Sequence, residues 1–548
     1  MIFIGTTVVA TWPLPKFCAT AIPQGVETVV TVPLLNLWTV WWNADRAAAG
    51  LDHYWDAPIF APATSTFVFS EAQPTTLSVA PLVWRLGNAI LAYNTYLLVT
   101  LTLNGAMTYR LLRSRRFTRW SAVTGGVLMQ TLPFVFWQLG VLQLTVLWPS
   151  LWTITAGLNL LELPRWRTAC ELGIAFGVTY ASCNYYGLFL AVLVPPAAVW
   201  FLSRKWLKIS SWGKLMLAAA IAVGLVFPIV QQQRMQSEKH EWSRDDDTIN
   251  NLSAHTRDYI DTPYPQWLDV WEDVGSPRWN LWTLGSGWLK LITAGVGILV
   301  GLVLSVHRRW TLFAVTFALL AWWYSLGPQF DLWSISPYDL LRSFVPGFAQ
   351  IRSPFRFAVF VQMAIIFLSA NVIDALIRTT TSRRWNWWEL VRWTLAVGCS
   401  IVFVAETRPA LQILYFPPPS DPLPQWAEFL RDETPPESVV VCLPMVMGST
   451  VVDYESETLW MYWSMFHHRR LINGYSGYFP KEYVAVKDAL FNFPNDGVPL
   501  LLELKPDYAV VRRDFEVQST IESFPVTSRW EWLFSDEMER IDIYRVQP

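Results

Sequence analysis

Ten apolar runs constrain this chain more than any other feature of its sequence. They cover residues 90–112, 120–137, 140–162, 168–183, 185–203, 213–231, 285–306, 310–326, 355–378 and 390–405. As helices, runs of about this length cross the roughly 30 Å hydrocarbon core of a bilayer, although several are short or contain proline. The apolar segment 1–12 is too short to span and is interpreted as the tail of a first span. The sequence therefore predicts an α-helical polytopic membrane protein with about eleven transmembrane helices.

The composition agrees with a lipid environment. Only 15% of the 548 residues are charged, whereas soluble chains carry about 25%. Many of the 33 tryptophans stand beside the ends of apolar runs, where an indole suits the headgroup region. The net charge is −2, and the Lys and Arg residues fall in short separate clusters, so nucleic acid is excluded as a partner.

Basic clusters follow every second span and include Arg115, Arg204 and Arg308. Short loops rich in Lys and Arg stay on the cytoplasmic side. The long connections 13–89, 232–284 and 327–354 are then outer loops, and the C-terminal tail lies on the outer side with them.

The pattern changes after a transmembrane domain at 1–405 and a linker at 406–419. Short β-like runs at 438–443 and 507–512 alternate with helical spacing at 423–431. The end of the chain, 540–546, alternates as a half-buried strand should. We expect an extracytoplasmic α/β domain at 420–548.

Metal ligands are sparse. The five cysteines show no CxxC spacing, and His467 and His468 have no further ligand at zinc spacing, so they are interpreted as part of the surface of the tail. The run Asp245–Asp247 has the oxygen ligands that a divalent cation prefers, but consecutive side chains point in different directions. No metal site is predicted, and the cofactor remains unknown.

The first outer loop is long, acidic and aromatic. Asp52, Asp56 and Glu71 are its candidate general bases, because a carboxylate whose pKa is raised by partial burial can deprotonate an acceptor hydroxyl. The alternative is that they are solvated carboxylates or turn caps. For Asp56, burial against Trp55 and Phe60 is expected.

A second candidate site precedes the run at 355–378. Arg352 and Arg356 are four residues apart, and if a helix begins near Pro354, their guanidinium groups and its N-terminus could bind a phosphate. The alternative is snorkelling to lipid headgroups.

Seven motifs carry a resemblance to a known family: TWPL, PLLNLW, DAPIF-P, FSE, P-L-GN-AYN, PGF-RSP-RF and NGYSGYFP. In this order they resemble bacterial multi-span proteins placed near the GT-C glycosyltransferases, over nearly the whole chain. The resemblance implies transfer of a sugar from a polyprenyl-phosphate or polyprenyl-pyrophosphate carrier, with an acidic catalytic residue in the first outer loop. It also implies the bacterial cytoplasmic (inner) membrane, where lipid and the polyprenyl-linked donor are the expected partners. Protein partners are left open.

The family's residues match this chain at several positions. The segment 33–38, which contains the candidate substrate-binding residue Asn36, follows the first span, and Asp52 is a further candidate for substrate binding. Asp56 matches the DAPIF acid and Glu71 the FSE acid. The arginines of RSPFR are Arg352 and Arg356.

One position departs from the family. Relatives commonly have Asp before the proline of PLLNLW, whereas this chain has Val32 before Pro33. The expected base is therefore absent, which leaves Asp56 as the best-matched acid and Glu27 and Glu71 as alternatives.

Three functions remain open from the sequence. The first is a membrane glycosyltransferase acting on a cell-envelope acceptor at the outer face. The second is a non-catalytic relative that binds lipid-linked saccharide or an envelope partner. The third is a transporter, for which Glu171 and Asp374 are the main charged residues within spans.

Overall fold

The computed structural model describes residues 1–25, 27–260, 284–331, 336–379, 387–407, 412–446, 448–490, 497–513 and 530–547. Parts of the predicted outer loops 232–284 and 327–354, and of the linker 406–419, lie outside these residues. The chain forms two compact units. Unit 1 comprises 1–16, 97–228 and 243–412, and unit 2 comprises 17–96, 229–242 and 413–548.

The helices follow one another closely along the chain. In order they are α1 Ile2–Ala10, α2 Thr31–Ala48, α3 Ala80–Leu86, α4 Ala89–Ser114, α5 Arg119–Gln130, α6 Pro133–Trp137, α7 Trp148–Glu162, α8 Trp166–Ser182, α9 Asn184–Ala197, α10 Ile209–His240, α11 Asp246–Asn251, α12 Trp288–Val303, α13 Arg308–Ser325, α14 Pro337–Phe344, α15 Ala358–Thr379, α16 Trp387–Glu406, α17 Gln425–Glu433, α18 Glu455–His467, α19 Lys481–Ala489 and α20 Gly497–Glu503.

The strands lie in unit 2. They are β1 Ile22–Pro23, β2 Leu414–Tyr415, β3 Val439–Leu443, β4 Arg470–Leu471, β5 Tyr508–Arg512, β6 Trp530–Asp536 and β7 Ile541–Val546. β1 and β2 pair antiparallel. The others form one sheet in the order β4-β3-β5-β7-β6, in which β3 is parallel to β4 and β5, and β7 is antiparallel to β5 and β6. The predicted C-terminal α/β pattern is confirmed.

Among the described residues, four helices are long and apolar enough to cross a membrane. They are Asn184–Phe201, Ile209–His240, Pro354–Arg378 and Trp387–Glu406, and Trp288–Val303 is a shorter apolar helix. The count of eleven spans stays a prediction. Two of the predicted runs are broken: Pro133 begins α6 and Pro149 lies in the first turn of α7, because proline suits a first turn, where its missing N–H costs nothing.

Unit 1 has its core where α12 and α13 pack on the buried helix α15. A Cβ at Gly297 would collide with the Leu368 carbonyl, so glycine permits this close approach. Asn371 on α15 donates from Nδ2 to the Gly297 carbonyl and to Thr311 Oγ1, each at 3.0 Å. Close packing and a buried polar contact together hold the three helices.

Unit 2 combines the first outer loop with the C-terminal sheet. The Leu471 N–H of β4 donates to the Pro58 carbonyl at 3.0 Å, and the Ala61 N–H donates to the Leu471 carbonyl at 2.8 Å. Phe60 stacks on Phe69 at 6.1 Å and makes an edge contact with Tyr483 at 4.9 Å between ring centroids. The DAPIF segment therefore extends the β4 edge of the sheet. Residues 17–89 of the first predicted outer loop and the predicted domain 420–548 thus belong to one compact unit.

The predicted surface position of His467 is wrong. His467 at the end of α18 is fully buried, and Arg469 is buried as well, whereas His468 is exposed. Arg469 donates from Nε to Thr434 Oγ1 at 2.8 Å and from Nη2 to the Thr434 carbonyl at 2.7 Å. These hydrogen bonds allow a charged side chain to be buried here.

Candidate functional site

Helix α2 carries the PLLNLW motif and fixes Asn36 in the interior of unit 2. Asn36 donates from Nδ2 to the Val32 carbonyl at 3.0 Å and accepts from Gln73 Nε2 at 2.7 Å. Because Asn36 is almost fully buried, its amide holds α2 against the segment after the FSE motif. For Asn36 to contact a substrate directly, the residues packed around its side chain would have to move apart.

Two turns further along α2, Asn43 connects the helix to both ends of the segment 54–76. Its Nδ2 donates to the Ala72 carbonyl at 2.8 Å and to Thr76 Oγ1 at 3.0 Å. The Tyr54 hydroxyl donates to Asn43 Oδ1 at 2.6 Å. Residues 54–76 are therefore positioned by a rigid helix, as a catalytic loop requires.

Asp56 lies in the segment that α2 positions. Its Oδ1 accepts from the Ser65 N–H at 2.8 Å, and its Oδ2 lies 3.3 Å from His53 Nδ1. The side chain is 44% exposed, so the expected burial against Trp55 and Phe60 is absent, because the carboxylate bonds to the loop backbone instead. Asp56 stabilises a turn and also keeps a face open to solvent.

The other candidate acids have different surroundings. Asp52 is exposed and accepts from the His53 N–H at 3.1 Å, as a turn-capping carboxylate does. Glu27 is half-buried in the segment before α2, and its carbonyl accepts from Gln24 Nε2 at 2.7 Å. Glu71 is half-buried, with one carboxylate oxygen inaccessible to solvent.

The RSPFR arginines lie in unit 1. A helical segment begins at Pro354 and continues into α15, as the sequence indicates. Arg356 lies in its first turn with its guanidinium carbon 4.4 Å from the centre of the Tyr185 ring. Its Nε is buried and makes no hydrogen bond within the part of the chain that the structure describes. Arg352 precedes the segment and is half-buried.

Sequence reasoning missed a buried acid in the C-terminal part of unit 2. Glu457 on α18 accepts from the Val446 N–H at 2.9 Å and from Asn473 Nδ2 at 3.0 Å. Asn473, the first residue of NGYSGYFP after Ile472, also bonds the backbone N–H and carbonyl of Cys442. Burial raises the pKa of Glu457 to about 7. An acid directly before the apolar stretch TLWMYW was the available signal.

The Asp245–Asp247 run is used for local structure. Asp245 accepts from the Thr248 N–H at 2.9 Å and caps α11, and hydrogen bonds from the Thr248 hydroxyl and N–H lower its pKa. Asp246 pairs with Arg342 at 2.9 Å. Across the described ranges, no group of three His, Cys, Asp or Glu side chains is arranged to hold a metal ion.

Solved structures resemble this fold along its whole length. The arabinofuranosyltransferase AftD from mycobacteria matches 100% of this chain with a TM-score of 0.56 at 14% identity. A mutant form of AftD matches 100% of this chain and 41% of its own, with a TM-score of 0.54 at 14% identity. AftD is a GT-C glycosyltransferase. By fold, this chain is therefore similar to a GT-C glycosyltransferase.

The chain spans about 40% of the length of AftD. ArnT from Cupriavidus metallidurans, in the apo state, matches 99% of this chain and 97% of its own at 11% identity, with a TM-score of only 0.44. No family model matches the chain, and no curated protein matches it.

In this fold, the candidate residues divide between the two units. Glu27, Asn36, Asp52, Asp56 and Glu71 belong to unit 2, and Arg352 and Arg356 belong to unit 1. Within unit 2, the segment that follows Asp56 is hydrogen bonded to the strand before the NGYSGYFP motif. Two motifs that are distant in sequence therefore form one structural element.

Proposed function

We propose that this chain is a membrane glycosyltransferase that moves a sugar from a polyprenyl-linked donor to a cell-envelope acceptor. The reaction takes place at the outer face of the bacterial inner membrane, with the C-terminal domain on the same side. The observation that carries this proposal is the likeness to AftD over 100% of the chain. The positions of the motif residues give the roles that follow.

The donor phosphate is assigned to Arg352 and Arg356. Arg356 stands in the first turn of a 25-residue apolar helix, where the positive end of the helix dipole favours an anion. Tyr185 holds the guanidinium by a cation–π contact, which leaves its edge available for hydrogen bonds. The buried Nε without a partner among the described residues is the kind of donor that a phosphate oxygen satisfies.

Asp56 is the proposed general base. It is the best-matched acid of the first loop, and its exposed face can reach an acceptor hydroxyl while the Ser65 N–H and His53 hold the carboxylate. Geometry favours Asp56 over Asp52, whose side chain is more exposed and less constrained. Glu27 and Glu71 are the alternatives.

The arginine roles predict a loss of donor affinity. Arg352→Ala and Arg356→Ala should each weaken binding of a polyprenyl-phosphate sugar by about 1.5–3 kcal/mol, since a charged hydrogen bond is lost. Titration of the purified full chain with the donor measures this directly. Arg342→Ala, which removes an ion pair with Asp246 in unit 1, is the matched control. Unchanged affinity in the Arg352→Ala, Arg356→Ala double variant would remove the phosphate role.

The membrane orientation gives an independent prediction. Loops containing Arg115, Arg204 and Arg308 should be cytoplasmic and residue 548 outside. Alkaline phosphatase fused after Pro548 should be active, and a fluorescent cytoplasmic reporter at the same place should be dark. The opposite pattern would mean that one span has been miscounted.

A non-catalytic relative is the second candidate function. It is favoured by Val32 at the position where relatives have Asp, and by the use of the Asp56 carboxylate in a turn. Such a protein would bind the lipid-linked saccharide without turnover. This second function would be established if the parent chain and every acid variant bind the donor but transfer no sugar.

A transporter has less support. Glu171 pairs with Arg110, and Asp374 pairs with His307 and Arg378. Glu171 is thus neutralised by Arg110 and Asp374 by Arg378, which is typical of a structural contact. Carboxylates of an ion pathway would instead be available to the transported ion.

A further inference from the structure

Two adjacent segments of unit 1 carry a concentration of positive charge that the proposed transfer reaction does not use. The segments are 161–167, between α7 and α8, and 204–214, at the start of α10. We define the basic surface as the six cations that they contain: Arg165, Arg167, Arg204, Lys205, Lys208 and Lys214.

Tryptophans hold these segments together. Trp206 is buried and donates from Nε1 to the Leu161 carbonyl at 2.9 Å, which fixes the 204–207 turn on the end of α7. Trp212 donates from Nε1 to the Trp206 carbonyl at 3.1 Å. Lys214 Nζ lies 5.7 Å from the centre of the Trp166 ring, so the start of α10 is next to the start of α8. These contacts therefore fix the two segments, and the cations that they carry, next to each other.

This positive charge has no counter-charge among the residues that the structure describes. None of the six cations forms an ion pair with an acidic residue that the structure describes. The two nearest acids in sequence are engaged elsewhere: Glu162 with Arg115 and Glu171 with Arg110. Five of the six side chains are exposed, and Lys214 is half-buried. Within the described part of the chain, the basic surface is therefore open to an external anion.

The neighbours of the cations indicate which anion. Leu207 and Ile209 are 88% and 89% exposed, and Trp166 and Trp212 are also exposed. Residues of this kind beside cations match the boundary between headgroups and acyl chains. Helix α10 continues from this point as an apolar candidate span. An acidic protein would satisfy the charges but not this apolar rim.

We infer that the basic surface binds the headgroups of anionic phospholipids in the leaflet on the basic-loop side. The cations take the headgroup phosphates, Trp166 and Trp212 lie at headgroup depth, and Leu207 and Ile209 reach the acyl chains. The lipid thereby fixes the depth and tilt of α8 and α10 in the membrane.

Electron paramagnetic resonance of spin-labelled lipids tests this inference. The full chain is reconstituted in phosphatidylcholine bilayers, and the association of spin-labelled phosphatidylglycerol is compared with that of spin-labelled phosphatidylcholine. We expect preference for phosphatidylglycerol at low ionic strength and a decrease of that preference in 1 M salt. Arg204→Gln with Lys205→Gln should lower the preference by up to about fivefold for each cation removed.

The matched control is Arg308→Gln with Arg309→Gln. This pair is also adjacent and exposed, but it lies outside the basic surface. We expect it to leave the preference close to that of the parent chain. An equal decrease in both double variants would overturn the inference, because any basic loop would then suffice. So would no preference in the parent chain, or binding of soluble polyglutamate to the basic surface in place of phosphatidylglycerol.

Discussion

Asp56→Asn is expected to lower sugar transfer by about 10²–10⁴-fold, the range that general base catalysis contributes. The amide still accepts the Ser65 N–H through its oxygen, so the turn should persist. What it loses is the ability to take a proton. Donor affinity should stay within about twofold of the parent value, because the phosphate contacts are assigned to Arg352 and Arg356.

The measurement is incorporation of a radiolabelled sugar from polyprenyl-phosphate donors into bacterial membranes that contain the full chain. Asp488→Asn, an exposed Asp on α19 that pairs with Lys487, is the matched control and should transfer normally. His53→Ala should lower transfer less than Asp56→Asn does, since it removes only one of the groups that hold the carboxylate. Normal transfer by Asp56→Asn, with loss in Glu27→Gln or Glu71→Gln, would reassign the base.

Asp374→Ala should lower the free energy of unfolding by about 3–5 kcal/mol, because it leaves the buried His307 ring and the Thr118 N–H without their acceptor and removes the counter-charge of Arg378. Asp374 on α15 is fully buried. Its Oδ1 accepts from the Thr118 N–H at 2.6 Å, and its Oδ2 contacts His307 Nε2 at 2.8 Å and Arg378 Nε at 2.5 Å. One carboxylate therefore joins the end of α15 to the starts of α5 and α13.

Denaturant unfolding of the purified full chain in detergent measures this loss. Asp246→Ala, which removes an exposed ion pair with Arg342, is the control and should cost no more than about 1 kcal/mol. Asp374→Asn should have an intermediate effect, because the amide oxygen can still accept from Thr118. A similar loss in Asp374→Ala and Asp246→Ala would contradict a structural role for the buried cluster.

Local and periodic features were predictable from the sequence. Apolar runs predicted spanning helices because a helix in lipid satisfies its own backbone and needs only length and hydrophobicity. Alternation at 540–546 predicted β7, because side chains of a strand point to opposite faces in turn. The motif order predicted a GT-C-like fold, and the structural likeness to AftD confirms it.

Features that depend on distant segments could not be predicted in this way. The pairing of Ala61 with Leu471 makes the first loop part of the C-terminal sheet. Burial of His467 and the contacts of Glu457 with Val446 and Asn473 also come from packing within unit 2. A motif specifies the type of residue at each position. The solvent exposure of its side chain and its hydrogen-bond partners depend on which distant segments pack against it.

Asp56 and Arg356 show most clearly the difference between what the sequence predicts and what the tertiary structure decides. From sequence, both were charged residues in motifs, each with a functional role and a structural alternative. The tertiary structure turned Asp56 toward the Ser65 N–H and left it partly exposed, and it placed the Arg356 guanidinium on the face of Tyr185. The sequence by itself determined the membrane fold, because hydrophobicity and period act locally. Only tertiary structure decided the surroundings of each charged group, because those surroundings consist of residues far away along the chain.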